Sequence, residues 1–258
     1  MNRRPILLSF LLSAAFVVLA FLMALPVLAS TSTLFGNGNF GADISYPNKA
    51  TYPTAPSGTK FTFGILGVTG GKAFSTNSYL GDQYKNWVLA NSLQPSLYMN
   101  LNYPVGSSAS NGLTGPKGKC ARNDKACQAY NYGYNAAANA YTYASDSGVN
   151  ANIWWLDIET ANSWSPTTSL NDQVIQGATD YFKGQGATVG IYSTASMWNK
   201  IAGKSYKPGL VNWIPESAGS GAATMSKYCG SSSSAFGGGS VGVVQYYTGS
   251  YDLDYACQ

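Results

Sequence analysis

The sequence predicts an α/β fold, a (β/α)8-type barrel, regular or distorted, in a single domain. Three observations lead there: seven short β-branched or aromatic runs recur along the chain, helical patterns separate them, and no glycine-rich phosphate loop follows the first run. Strands alternating with helices at this spacing argue for parallel βαβ units. Seven or eight such units in about 225 residues match an eight-stranded barrel better than a doubly wound sheet. The nucleotide motif of a doubly wound sheet needs its glycines between strand and helix, whereas "GNGNFG" (Gly36 to Gly41) precedes the first run.

Before the barrel comes a different segment. Arg3 and Arg4 precede an almost unbroken apolar stretch from Pro5 to Ala29, and Val27-Leu28-Ala29 before Ser30 has the small-residue spacing of a signal-peptidase site. Residues 1–29 therefore read as an export signal. The stretch, at roughly 20 or more apolar residues, also has the length of an uncleaved membrane anchor. Either reading puts residues 30–258 outside the cytoplasm.

The expected strands are Phe40 to Ser45, Phe61 to Val68, Ser96 to Leu101, Ala151 to Ile158, Ala187 to Ser193, Leu210 to Pro215 and Gly242 to Tyr247, each bounded by Gly, Pro, Asn or Ser. Helices are expected over residues 78–91, over 125–147 with Gly148 as the C-terminal stop, and from an N-capping Ser169 to Gly184 or Gly186. Two low-complexity pieces, "GSSASNGLTGPKGK" and "GSSSSAFGGGS", read as surface loops. Continuous apolar strands such as "GVVQYY" suit a sheet covered on both faces.

Composition narrows the function. Hydrophobic residues make up 45% of the chain and charged ones 10%, enough apolar surface for one sizeable core. Without Arg3 and Arg4, thirteen basic residues face eleven acidic ones, and the lysines are scattered, which is no nucleic-acid footprint. Four cysteines, Cys120, Cys127, Cys229 and Cys257, fit two disulfides in an exported protein; of three possible pairings, Cys120–Cys127 with Cys229–Cys257 is the simplest. Histidine is absent altogether. That removes Ser-His-Asp and Cys-His machinery and every histidine-ligated metal, and no cofactor is expected. Acid–base chemistry falls to carboxylates, of which only Glu159 and Glu216 are glutamates.

In "WWLDIET" the acids Asp157 and Glu159 close an apolar run. Residues two apart in a strand project to the same face, so both acids point the same way, at the strand end where barrels build their sites. Asp43 ends the first run in the same fashion, and Asp252 follows the last; first and last strands of a closed barrel are neighbours, which brings these two acids to the same mouth. Asp254 reads as an acceptor of turn N–H groups. Clustered acids oppose one another's ionisation, which leaves a proton donor beside an ionised partner, the combination that glycoside cleavage needs. Glu159, with the longer reach, is the expected donor and Asp157 the stabilising carboxylate. Trp154, Trp155, Trp164, Tyr192, Trp213, Tyr246 and Tyr247 fall near strand ends, where aromatic rings suit sugar faces. Trp154 and Trp155 alternate, so one of them packs away from the interior, and Trp155 is the candidate for the groove.

The order "GADIS", "WWLDIE", "VGIYS", "VNWIPE", "VVQYYTGSYDLDY" resembles that of glycoside hydrolase family 25, the muramidase family of peptidoglycan-cleaving barrels, over nearly all of residues 38–258. The resemblance implies that Asp43, Asp157, Glu159 and Asp252 match the family's acids, with Glu159 the proton donor. It further implies that Asp157 assists attack by the substrate's acetamido group or by a water, and that Tyr192, Trp213 and Gln245 line the groove. Three features depart from the pattern: Gly70 stands where an acid is common, Asn100 lies near the place of a usual histidine, and the segment from Val105 to Cys127 has no counterpart. The expected function is a secreted glycosidase acting on peptidoglycan or a related amino-sugar polymer. The alternative is a non-catalytic cell-wall or glycan-binding protein on the same scaffold. Membrane contact is expected only through residues 1–29.

Overall fold

A computed structural model describes residues 34–216 and 222–258. The predicted leader, residues 1–29, lies outside the described residues. Among the described residues no helix is long and apolar enough to cross a membrane.

The first third contains β1 (Phe40–Ile44), a 3-10 turn (Tyr46–Asn48), β2 (Phe61–Gly67), α1 (Leu80–Gln83) running into a π-helical stretch (Tyr84–Leu89), and β3 (Gln94–Asn100). A 3-10 segment (Gly106–Gly112) and a small hairpin of β4 (Thr114–Gly115) and β5 (Gly118–Lys119) lead into α2 (Lys125–Asp146). The remainder is β6 (Ile153–Asp157), α3 (Thr168–Gly184), β7 (Thr188–Tyr192), α4 (Ala195–Ile201), β8 (Val211–Glu216), α5 (Ala222–Ser226), β9 (Val241–Tyr247) and β10 (Asp252–Ala256). All seven expected strands form. The Gly148 stop is present, at φ 74 just past α2. The third helix starts one residue before Ser169, with Thr167 at its cap position.

Eight strands close into a barrel in the order β1-β10-β9-β8-β7-β6-β3-β2. Seven run parallel; β10 is antiparallel to both of its neighbours. The expectation that the Gly242 to Tyr247 strand would neighbour the first strand is corrected here, because β10 lies between them. The cause is chain length. Only residues 248–251 separate β9 from β10, and a return to a parallel register needs a crossover of a dozen or more residues. A tight turn forms instead, with the Thr248 N–H donating to the Tyr251 carbonyl at 3.2 Å and Gly249 at φ 91. The β1–β2 connection likewise has no α-helix, so the barrel is an irregular member of its class.

The outer core depends on close helix packing. α2 buries Ala129, Ala136, Ala137, Ala140 and Ala144, and α3 buries Val174, Ile175, Ala178 and Phe182. Trp154 points outward and stacks on Phe182 with ring centroids 4.3 Å apart. The two helices approach so closely that a side chain at Gly133 would overlap the Val174 carbonyl, and one at Gly177 the Tyr130 carbonyl. Both predicted disulfides are present, Cys120–Cys127 and Cys229–Cys257; the second ties the end of β10 to the segment after α5.

Gly133→Ala forces α2 and α3 apart. It is expected to cost about 1–3 kcal/mol, the usual range for overpacking, read as a lowered midpoint in chemical denaturation, while Gly148→Ala acts only through its left-handed backbone.

Candidate active site

Inside the barrel the side chains stack in layers. Near the N-terminal ends of the strands, Leu34, Phe35, Phe63, Ile65 and Ile153 form an apolar plug, with Phe35 stacked on Phe63 at 4.0 Å. Trp155 lies above it, fully buried, donating its indole N–H to Ser96 Oγ at 3.3 Å. The ring has room because the neighbouring strand offers Gly190 opposite it, where a Cβ would strike the indole. Trp213 comes next and acts as a hub: its ring meets Tyr192 at 4.5 Å, Trp155 at 5.7 Å and Tyr98 at 5.8 Å, and its N–H donates to Asp254 Oδ1 at 2.8 Å.

Above Trp213 the lining turns acidic. A cavity of about 170 Å³ at the C-terminal mouth is bounded by Asp43, Asp157, Glu159 and Asp252, with Tyr98, Tyr192, Trp213, Gln245, Ser45 and Asn48, and no basic side chain among them. Asp43 and Asp252 are direct partners across β1 and β10. Gln245 donates to Asp43 Oδ2 at 2.8 Å and accepts from the Tyr192 hydroxyl at 2.8 Å. Asn100 donates to Asp157 Oδ2. Asn100 is itself oriented by Thr69, whose hydroxyl donates to Asn100 Oδ1 at 2.8 Å.

Glu159 sits two residues beyond Asp157, just past the strand, and its loop is firmly held. The Trp164 indole donates to the Glu159 carbonyl at 2.7 Å, and Ser193 Oγ donates to the Ile158 carbonyl at 2.7 Å.

Burial raises the pKa of every acid here. Asp157 is raised well above the ordinary range by burial first and by the neighbouring Glu159 second, while the Asn100 bond opposes the shift. Glu159, half-buried, is also raised by burial, and its contact with Asp157 opposes that. Two carboxyls in this relation titrate as a unit and hold one proton between them to higher pH than either would alone. Asp43 is raised by burial and then by Asp252, and Asp252 by burial. Burial and the nearby Asp43 keep Asp254 raised despite its bond to Trp213.

The closed barrel has counterparts among solved structures. A family 25 lysozyme from Aspergillus fumigatus superposes with a TM-score of 0.53 at 14% identity, over 85% of this chain and 94% of that one. A family 25 glycosyl hydrolase from Bacillus anthracis gives 0.54 at 12%, over 85% and 89%. The catalytic domain of endolysin ply40, from bacteriophage P40 of Listeria monocytogenes, gives 0.53 at 16%, over 85% and 93%. The chain has the fold of the family 25 glycoside hydrolases. The family described as Lysozyme-like protein 1 matches residues 124–246. No curated protein matches the sequence. At identities of 12–16% the likeness to these structures is one of fold.

At the mouth of this barrel the structure brings together Asp43, Asp157, Glu159, Asp252, Tyr192, Trp213 and Gln245. Asn100 stands behind Asp157 as its hydrogen-bond donor rather than on the cavity wall. Trp155 differs from expectation: two residues before Asp157 on the same face, it lies one layer deeper, beneath Trp213, and has no surface in the cavity. Asp254 is corrected too. It is no turn acceptor but a fully enclosed interior residue whose Oδ2 has no hydrogen-bond partner. Sequence reasoning missed Tyr98, which the two-residue alternation of β3 places on the same face as Asn100.

Each raised carboxyl binds its proton more tightly folded than unfolded. Its stabilising contribution is therefore complete below about pH 4, the ordinary carboxylate range, and is lost as pH rises through the raised value. Asp172 on α3, raised by burial to about 6, adds to the same slope. Thermal midpoints are expected to fall from pH 4 to pH 8. Asp254→Asn keeps an acceptor for Trp213 and removes the enclosed charge, so it should raise the midpoint at pH 8, leave it nearly unchanged at pH 4 and flatten the slope; an unaltered slope would show that Asp254 is not among the titrating groups.

Proposed function

We propose that this protein is a glycoside hydrolase that cleaves peptidoglycan or a related amino-sugar polymer. The observation that carries the reading is the convergence of Asp43, Asp157, Glu159 and Asp252 on one small cavity with no basic side chain. The fold's relatives include a family 25 lysozyme and a family 25 glycosyl hydrolase, which supports the substrate class.

In this reading Glu159 donates a proton to the glycosidic oxygen. The pair shares one proton, which Asp157 holds more tightly in the free protein; its passage to Glu159, half-buried and open to solvent and substrate, leaves Asp157 ionised. Asp157, held by Asn100, is the carboxylate that faces the positive charge developing at the sugar's anomeric centre and assists attack by the substrate's acetamido group or a water. Once Glu159 has given up its proton, the pair carries more negative charge, which stabilises that cation. Asp43, anchored by Gln245 and Tyr192, and Asp252 beside it keep the mouth negative and shape the sugar site. Tyr192, partly exposed, offers aromatic surface to the sugar ring, with the buried Trp213 supporting it from below.

Export belongs to the same proposal, with residues 1–29 as the signal or anchor and 30–258 as the hydrolase domain. It is supported by the apolar run from Pro5 to Ala29 and by two disulfides, which persist in oxidising compartments.

The test is reducing-end release from cell-wall sacculi and chitin oligomers by the purified protein and by Glu159→Gln. Loss of a general acid is expected to lower the rate about 10²–10⁴-fold. Equal release by both proteins removes Glu159 from the donor role, and tight glycan binding without release by the parent favours the non-catalytic reading. The rate should also fall as pH rises through the higher apparent pKa of the Asp157–Glu159 pair, because the proton to be donated is then gone. In Asp157→Asn, which takes away the coupled partner, that alkaline limb is expected to move.

A further inference from the structure

The acidic mouth is not the largest cavity. A second one, of about 590 Å³, opens beside it among the loops after β2, β3 and β6. Sites of about 300–1,000 Å³ hold a whole small ligand rather than a single group. The two cavities share a loop: the wall Ala161–Ser163 begins two residues after Glu159, and the Asn162 N–H donates to the Glu159 carbonyl at 3.1 Å. Whatever occupies the second cavity therefore lies next to the proposed point of cleavage.

Its chemistry is the reverse of the first. No acid lines it, and its one formal charge is Lys72, exposed and without an ion-pair partner among the described residues. Asn162 lines the wall, and its amide nitrogen is enclosed with no hydrogen-bond acceptor. Rotation about the soft terminal torsion of Asn162 would present that donor to the cavity. The floor is Tyr132, whose hydroxyl accepts from Asn102 at 3.0 Å, with Phe74 packed edge-on against it at 5.2 Å. Phe74 holds φ 62, an uncommon conformation for a side chain of this size, of a kind that recurs at binding sites. The aromatic floor is mostly buried, so flat sugar stacking is not what the cavity offers. It offers a cation and amide donors.

The opposite wall comes from the segment without a family counterpart. Val105, Ser107, Ser108 and Asn111 line it. That segment is clamped to α2: Asn135 donates to the Asn111 and Thr114 carbonyls at 2.7 and 2.8 Å, the Lys117 N–H donates to Asn131 Oδ1 at 3.0 Å, and Cys120 is bonded to Cys127. A wall tied down in this way is preorganised, which lowers the cost of binding.

Resting on the glycosidase reading, we infer that this second cavity is a subsite for a carboxylate-bearing peptide branch of the glycan, the chemistry of a peptidoglycan stem. Lys72 pairs with the carboxylate, and Asn162 donates to a peptide carbonyl. The chain is in this view selective for peptide-substituted polymer over bare glycan.

Calorimetric titration of the full-length Glu159→Gln protein tests this with three probes: a disaccharide carrying its stem tetrapeptide, the same disaccharide without it, and the free stem peptide. The stem-bearing disaccharide should bind about tenfold more tightly, the worth of one charge-assisted contact, and Lys72→Met in the same background should abolish the difference. Lys72 is exposed, so an unchanged thermal midpoint certifies the fold of that variant. Equal affinity for the two disaccharides, or a gap that survives both Lys72→Met and Asn162→Leu, overturns the subsite even if the parent cleaves sacculi. Conversely, free peptide that binds and is lost in Lys72→Met, in a protein whose parent releases no reducing ends, upholds the subsite and sinks the hydrolase reading.

Discussion

The five residues of β10 run against the grain of an otherwise parallel sheet and pair with β1 on one edge and β9 on the other. That pairing closes the barrel, and it also sets Asp252 beside Asp43 at the mouth and threads Asp254 into the interior beneath the Trp213 indole. An open sheet would leave Asp43 and Asp254 in water with ordinary behaviour. Closure removes them from solvent, and their raised affinity for protons follows from that burial more than from any single neighbour. The Cys229–Cys257 bridge, at the far end of β10, holds the strand in place.

Along the barrel axis polarity changes abruptly. Phenylalanine, isoleucine and leucine fill the bottom, two tryptophans the middle, and carboxylates the top. Trp213 is the boundary. Its ring faces Trp155 below and Tyr192 beside it, and its N–H satisfies one oxygen of an enclosed acid. A chain with few charges thus concentrates five of its eleven acids in one place. Such a concentration is costly for folding at neutral pH, because the groups cannot all ionise together, and the same frustration keeps a proton available for chemistry.

Outside the barrel, the work of the loops is unevenly shared. The β1–β2 connection is short of helix, whereas the segment from Val105 to Cys127 is long, cross-linked and pinned to α2. α2 in turn lies so close to α3 that only glycine fits at Gly133 and Gly177. Rigidity passes from that helix pair into the wall of the larger cavity, and the loop carrying Glu159 joins the two cavities.

Much of this was legible in the sequence because it depends on local periodicity. Alternation along "ANIWWLDI" and "VVQYY", the glycine stop after α2, and the two-residue spacing of Asp157 and Glu159 specify strands, a helix end and a shared face without reference to the rest of the chain. Asp43, Asp157 and Glu159 could be named for the same reason, each closing an expected strand, whereas Asp252 was placed after the last expected strand and in fact opens β10. Depth within the barrel was not legible. Trp155 and Asp157 share a face, yet one is sealed under Trp213 and the other lines the cavity, since position along the barrel axis is set by the stagger of eight strands and not by one of them. Asp254 and the larger cavity were invisible for a related reason: each is made by residues far apart in sequence. The sequence by itself determined which elements form and which acids stand at strand ends. Only the tertiary structure decided which groups lose their water, because desolvation is a property of the closed barrel as a whole.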